Sequence, residues 1–232
     1  MRLPPTSTFD RRGALRAVVP MAMTEGLRVL NGNLSVFLLG YLTDPSAIGL
    51  FKVADSVGTL CSIPVAILNI VAAPQIARLH ASGDTERLKK LVSYVALAMT
   101  LGSIALAVPL LLFGSETLSM LFGPKFANAR TPMLILCLGY GLGAAFGPSL
   151  VFMNMTGRER TVTRSFAVSF FSNFLLGAAA ISYAGPTGAA VANVAGYLIW
   201  TGWLWLEGKR RARVDTSLLP ATIGLLRLRP RG

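Results

Sequence analysis

The sequence predicts an all-α integral membrane protein, with six transmembrane helices in one bundle and both termini in the cytoplasm. Three observations predict it. Six apolar runs, at roughly 17–41, 49–77, 91–113, 133–155, 162–183 and 187–206, each reach the ~20 residues a helix needs to cross a ~30 Å hydrocarbon core. Mean hydropathy is +0.59, and charged residues make up 14% of the chain against about 25% in soluble domains. The third observation is charge placement. With the runs threaded alternately, one side receives 18 of the 22 Lys and Arg residues, the other receives only Lys52, Lys125 and Arg130, and Arg28 falls inside a span. Cations concentrate in cytoplasmic loops, which sets the orientation.

The organisation follows from these runs. Residues 1–16 form a basic cytoplasmic segment, 17–206 the six-helix bundle, and 207–232 a basic cytoplasmic tail. The net charge of +12 alone would suit nucleic acid. Its flanking of apolar spans assigns it instead to topology and to anionic lipid headgroups at the cytoplasmic face, so no nucleic-acid partner is expected. The first span carries Glu25 and Arg28, so it does not read as a cleavable signal.

Each element has a local reason. The first run ends before Asp44-Pro45, a turn signal. The second holds Pro64 and Pro74, and the third and fourth hold Pro109 and Pro148. Each proline removes a backbone hydrogen bond and favours a kink. The link "HASGDTERLKK" is polar and turn-like. The outward segment 114–132 predicts a short interfacial helix broken at Gly123-Pro124. The fourth run carries Gly139, Gly143 and Gly147, and the sixth carries Gly188, Ala192 and Gly196. Such four-residue ladders of small residues let helices approach closely. The fifth and sixth runs meet at "YAGPTGAA", a tight turn. The basic tail after Glu207, with Pro220 and Pro230, is expected to be partly disordered, or to lie on the inner leaflet through a short stretch near 218–228. Cys61 and Cys137 both fall inside spans, as small packing residues rather than a disulfide or metal pair.

Two helices carry polar stripes. Thr24, Glu25, Arg28, Asn31, Gly32 and Ser35 share one face of the first span, opposite Met23, Leu27, Leu30, Leu34 and Phe37. Lys52, Asp55, Ser56, Thr59, Ser62 and Asn69 fall on one arc of the second. A charge near the bilayer centre costs about 2.5–3.5 kcal/mol on insertion scales, so these faces should look onto protein or water. Glu25 and Arg28, and Lys52 and Asp55, are each spaced to pair. The stripes predict one wall of a hydrated cavity, against the plainer reading of structural ion pairs and snorkelling side chains. Asn154, Asn173 and Asn193 read as interhelical hydrogen-bond partners.

No enzyme is expected. There is no G-x-x-x-x-G-K-[ST] loop and no G-x-S-x-G elbow. The single histidine, His80, has no second histidine with which to build a metal site, and nothing calls for a cofactor.

Four stretches carry a resemblance: "SVFLLGYLTDPSAIGLFKVADSV", "PVAILNIVAAPQIARLHASGDTERLKKL", "LLFGSETLSMLFGPKFANARTPMLILCLG" and "YAGPTGAAVANV". In order and spacing the chain resembles the second, C-terminal six-helix lobe of polysaccharide (O-antigen or teichoic-acid, Wzx-type) flippases. These belong to the multidrug/oligosaccharidyl-lipid/polysaccharide exporter superfamily. The resemblance implies a multi-pass protein of the bacterial cytoplasmic (inner) membrane. It would carry an undecaprenyl-pyrophosphate-linked oligosaccharide from the inner to the outer leaflet. Arg28, Lys52, Asn31 and Asn69 would then line the substrate cavity, with Glu25 and Asp55 neutralising charge or coupling an ion. A two-repeat transporter places its substrate between repeats, so the implied partner is a second six-helix lobe, from another chain or a second copy. The alternatives are a non-transporting scaffold, an inactive truncated remnant, or a lobe of a drug/cation antiporter.

Overall fold

The computed structural model describes residues 11–212 and 214–220, with side chains from Ala22 onward except at 212. Residues 1–10, 213 and 221–232, and with them most of the predicted 218–228 stretch, lie outside the described residues. Every regular element among the described residues is helical. In order these are α1 (Arg11–Leu42), α2 (Pro45–Gly58), a 3-10 segment (Thr59–Ser62), α3 (Ile63–Ala81), α4 (Thr85–Phe122), a second 3-10 segment (Pro124–Ala129), α5 (Arg130–Ala144), α6 (Ser149–Met155) and α7 (Glu159–Glu207).

Three stretches are long and apolar enough to cross a membrane: Pro45–Ala81, Thr85–Phe122 and Glu159–Arg211. A fourth is reached if α5, with the turn before it, and α6 count as one bent span. In the most apolar window of each of the first two, only 22% is buried. Ile70 is 75% exposed, Phe37 66% and Leu112 66%. Apolar surface on this scale suits lipid and not water. The chain therefore has the make-up of a membrane protein. α1 is helical over 32 residues but is not among the apolar stretches, because Glu25, Arg28, Asn31 and Asn33 interrupt it.

The sequence punctuates these helices. α3 closes on Gly83 at φ 71°. There the Gly83 N–H donates to the His80 carbonyl (3.1 Å) and the Asp84 N–H to that of Leu79 (3.2 Å), the pairing that ends a helix on a left-handed residue. The Asp84 carboxylate then accepts from the Arg87 N–H at 3.0 Å and caps α4. α4 bends at Phe113 (φ −116°, ψ 24°) and runs on to Phe122, ending at Gly123. The bend falls four residues past Pro109 rather than at it. At Pro148, where a kink is expected, the helix breaks altogether: α5 and α6 are separate and bent by 45°.

α7 is two helices. At Gly185 the backbone takes φ 50°, ψ −125°, beyond the reach of ordinary L residues, and the chain folds back. Ser169 Oγ donates to the Gly196 carbonyl at 2.8 Å. A Cβ on Gly177 would stand 3.7 Å from Ala192, and one on Gly188 would meet the Ala180 backbone. These positions pair antiparallel about residue 184, so the limbs 159–184 and 186–207 lie side by side. The ladder of the sixth run serves this packing, and Gly139 and Gly143 serve that of α5, facing Val194 and Tyr197; Gly147, the third step expected there, lies past the end of α5 at φ 66°.

Two apolar cores hold the bundle. One joins Leu39, Phe51, Val57, Met133, Leu136 and Ile181. Cys61 and Cys137, both buried free thiols, are part of it. The other joins Ile76, Val92, Phe152, Phe166, Leu204 and Val214.

The start of the tail departs from the expectation of a leaflet-bound or disordered segment. Val214, Thr216 and Ser217 are buried, and residues 214–218 fill the break between α5 and α6. The Leu218 N–H donates to the Ala145 carbonyl (3.1 Å), and Thr216 Oγ1 donates to that of Phe146 (3.1 Å). Thr216 Oγ1 also lies 2.8 Å from Ser149 Oγ. Helix breaks leave carbonyls without partners; this segment supplies the partner of Ala145 and a second donor for Phe146, whose carbonyl also accepts from Ser149 Oγ at 2.7 Å. Asp215 anchors it, accepting from Trp205 Nε1 (2.8 Å), the Ser217 N–H (3.0 Å) and Ser217 Oγ (2.7 Å). Lys209 Nζ lies 3.5 Å from its other oxygen.

Burial pushes the Asp215 carboxyl up, but the bonds from Ser217 and Trp205 and the charge of Lys209 outweigh it, leaving the group below its usual range. A depressed carboxyl stabilises above its unfolded pKa and loses that contribution as pH falls through its folded value. Acidification below about pH 4 is therefore expected to release the segment and shift Trp205 emission. Asp215→Asn should abolish the acid-dependent part of the shift. A pH-independent Trp205 signal in the native protein would show that the carboxylate does not hold the segment.

Candidate functional site

Between the two cores lies a cavity of about 410 Å³, within the usual range for ligand pockets. Both polar stripes reach it. α1 contributes Arg28, Asn31 and Gly32, α2 contributes Asp55, and the 3-10 segment contributes Thr59 and Ser62. Of the six residues predicted for the site, the structure thus brings Arg28, Asn31 and Asp55 to one cavity. Glu25 stands beside it as the partner of Arg28, whose Nε lies 3.0 Å from each Glu25 carboxylate oxygen and whose Nη2 also bonds Oε1. Both side chains are more than half exposed.

Lys52 and Asn69 do not line the cavity, which corrects the expectation for both. Lys52 is exposed one turn before Asp55. It shares the stripe's face but lies beyond the cavity along the helix. Asn69 is turned away by the 3-10 segment. Four residues at three per turn advance about 80° further than four α-helical ones, so the stripe loses phase between Ser62 and Asn69. The Asn69 Oδ1 is buried without a hydrogen-bond partner.

Asn31 is the hub of a buried relay. Asn173 Nδ2 donates to Asn31 Oδ1 at 3.0 Å, Asn31 Nδ2 donates to Ser169 Oγ at 2.7 Å, and Ser169 Oγ donates to the Gly196 carbonyl at 2.8 Å. The relay ties α1 to both limbs of α7. Asn173 makes the expected interhelical bond and also lines the cavity, as does Asn193. Asn173 Oδ1 has no partner although the residue is 2% exposed. Asn154 is exposed and takes no part.

Sequence reasoning missed the aromatic wall. Tyr140 of α5 donates to Asp55 Oδ1 at 3.3 Å. Its ring meets Tyr197 edge-on at 5.3 Å, Tyr197 meets Trp200 at 5.4 Å, and Trp200 lies against Phe166 at 4.8 Å. All four rings line the cavity. The Tyr197–Trp200 spacing of three residues places both on one helix face, and that was the available signal. Nothing local connects it to Tyr140.

The cavity thus presents amide and hydroxyl groups, one carboxylate and an internally paired guanidinium opposite a run of rings. Such a lining holds a polar molecule with flat apolar faces, through multiple hydrogen bonds and ring contacts. Among the described residues no group of three or more His, Cys, Asp or Glu is placed to hold a metal ion. No protein-family model matches the chain, and neither does any curated protein or solved structure.

Proposed function

We propose that this chain is one lobe of a membrane flippase that moves an undecaprenyl-pyrophosphate-linked oligosaccharide from the inner to the outer leaflet of the bacterial cytoplasmic membrane. In this reading it crosses the membrane six times, with both ends inside. α1, the bent α5–α6 pair and the two limbs of α7 complete the count. One observation carries the reading: polar stripes on two helices converge on a single cavity whose far wall is aromatic. Sugar rings offer hydroxyls to amides and C–H faces to aromatic rings, and both surfaces are present. Arg28 at the cavity edge supplies a cation for the pyrophosphate. Glu25, Arg28 and Lys52 are all exposed on helices that this reading places in the membrane, where lipid holds charge poorly. A second six-helix lobe, from another chain or a second copy, would cover them.

The test is deletion of the gene in its host, followed by extraction of lipid-linked saccharides. Undecaprenyl-linked repeat units should accumulate and surface glycan should be lost, and the intact gene should restore both. Absence of accumulation would leave a scaffold or a remnant. That second reading draws on one observation, the pairing of Arg28 by Glu25 within its own helix, which serves structure alone equally well. The variants separate the two. Arg28→Ala should cut export at least about tenfold, since a charge-assisted bond to an anion contributes about 1.5–3 kcal/mol, whereas Lys52→Ala should leave it nearly unchanged. Full export by Arg28→Ala would remove Arg28 from the mechanism.

A further inference from the structure

A second concavity, of about 430 Å³, lies on the later limb of α7, far along the chain from the stripes. Its floor is Ile199, Gly202, Trp203 and Leu206, and Glu207 and Arg210 stand at one end. The charges at that end are not equivalent. Of the three consecutive cations after α7, Lys209 reaches Asp215 at 3.5 Å and lies 5.2 Å from the Trp205 ring centroid. Arg211 holds Glu207 at 2.8 Å. Arg210 between them is exposed, and among the described residues no carboxylate pairs with it. The groove mouth therefore offers one free guanidinium beside a carboxylate that is already neutralised. Gly202, without a side chain, lies at the middle of its floor.

We infer that this groove binds one anionic glycerophospholipid, with its phosphodiester on Arg210 and an acyl chain along Ile199, Gly202, Trp203 and Leu206. The chemistry matches at both ends. A guanidinium forks onto phosphate oxygens, and an apolar trough accepts a hydrocarbon chain. Trp203, 41% exposed, sits within a few residues of the basic cluster, where an amphipathic ring belongs at the headgroup level. Basic pockets at the cytoplasmic ends of spans hold anionic headgroups more tightly than the diffuse attraction of the leaflet does. The site is separate from the cavity and does not depend on transport. It requires only that α7 lies in a bilayer.

Native mass spectrometry of the full chain, delipidated in detergent and titrated with phosphatidylglycerol or phosphatidylcholine, tests it. The first phosphatidylglycerol should bind at least about fivefold more tightly than phosphatidylcholine, the contribution expected of one interfacial cation. Arg210→Gln should erase that preference and leave phosphatidylcholine binding unchanged. Arg160→Gln removes the same charge outside the groove and should change little. Gly202→Leu should remove the first tight lipid of either kind. If its melting temperature shows that it misfolds, Ile199→Trp fills the same trough. Equal losses for Arg210→Gln and Arg160→Gln would reduce the effect to diffuse attraction and overturn the site. So would tight binding that survives a folded groove-filling variant.

Discussion

Replacing Gly188 by valine is expected to stop the two limbs of α7 from closing, and to do more damage than any other single change considered for this bundle. A Cβ at position 188 meets the carbonyl oxygen and carbon of Ala180 and lies 2.9 Å from the Ile181 nitrogen. These are backbone atoms on the facing limb, and no rotamer change moves them aside. Overpacking against side chains typically costs about 1–3 kcal/mol. Against backbone the expected cost is at least about 3 kcal/mol, in the range reserved for severe lesions. That is a large share of a domain's usual stability of about 5–15 kcal/mol. Thermal unfolding of the purified protein in detergent measures it. Gly202→Ala is the control, because its Cβ would lie an ordinary 3.8 Å from Phe146. If Gly188→Val melted with the native protein, the limbs would not be in contact at this point.

The second large effect belongs to Asn31. Asn31→Leu removes the one bond the Asn173 amide makes and takes a donor from Ser169. Asn173 is 2% exposed and its Oδ1 already lacks a partner, so the whole amide is left buried and unpaired. Each orphaned buried polar group costs about 1–3 kcal/mol. Removing both partners is a different matter, since apolar groups of similar shape on both sides come close to neutral. The double variant Asn31→Leu/Asn173→Leu should therefore be less destabilised than the sum of the singles, with a coupling of about 0.5–3 kcal/mol. Strictly additive melting data would deny the relay. The same double variant would turn part of the cavity wall apolar, so it should lose export, under the proposed function, even where it recovers stability.

Much of this architecture is written in local signals. The Asp44-Pro45 turn, the Gly83-Asp84 link, the end of α4 at Gly123-Pro124 and the reversal at Gly185-Pro186 each rest on a few adjacent residues whose backbone preferences are strong. The stripes on α1 and α2 are likewise local, because one helix period places Arg28 and Asn31, or Asp55 and Thr59, on one face. What was not legible depends on phase and on distance. The 3-10 segment at 59–62 breaks the period that seemed to carry Asn69 into the site, and no residue in "TLCS" announces it. Lys52 has the right face but lies beyond the cavity's reach along the helix, and periodicity says nothing about how far a cavity extends. The Tyr140–Tyr197–Trp200–Phe166 wall joins residues from both limbs of α7 and from α5, so only the folded packing assembles it. The docking of Asp215 and Thr216 was hidden for a similar reason: a basic, proline-containing tail looks solvated until the gap it fills is known.

That gap bears on the order in which the molecule is built. Gly147 enters the chain 69 residues before Thr216, the residue whose carbonyl its Cα packs against. At about 5–20 residues per second of synthesis, the Ala145 carbonyl waits roughly 4–15 s for its partner, the Leu218 N–H. A nascent α5–α6 elbow must satisfy that carbonyl with another donor, such as water, in the interval. The bond from Leu218 to the elbow therefore forms only after both limbs of α7 have been made.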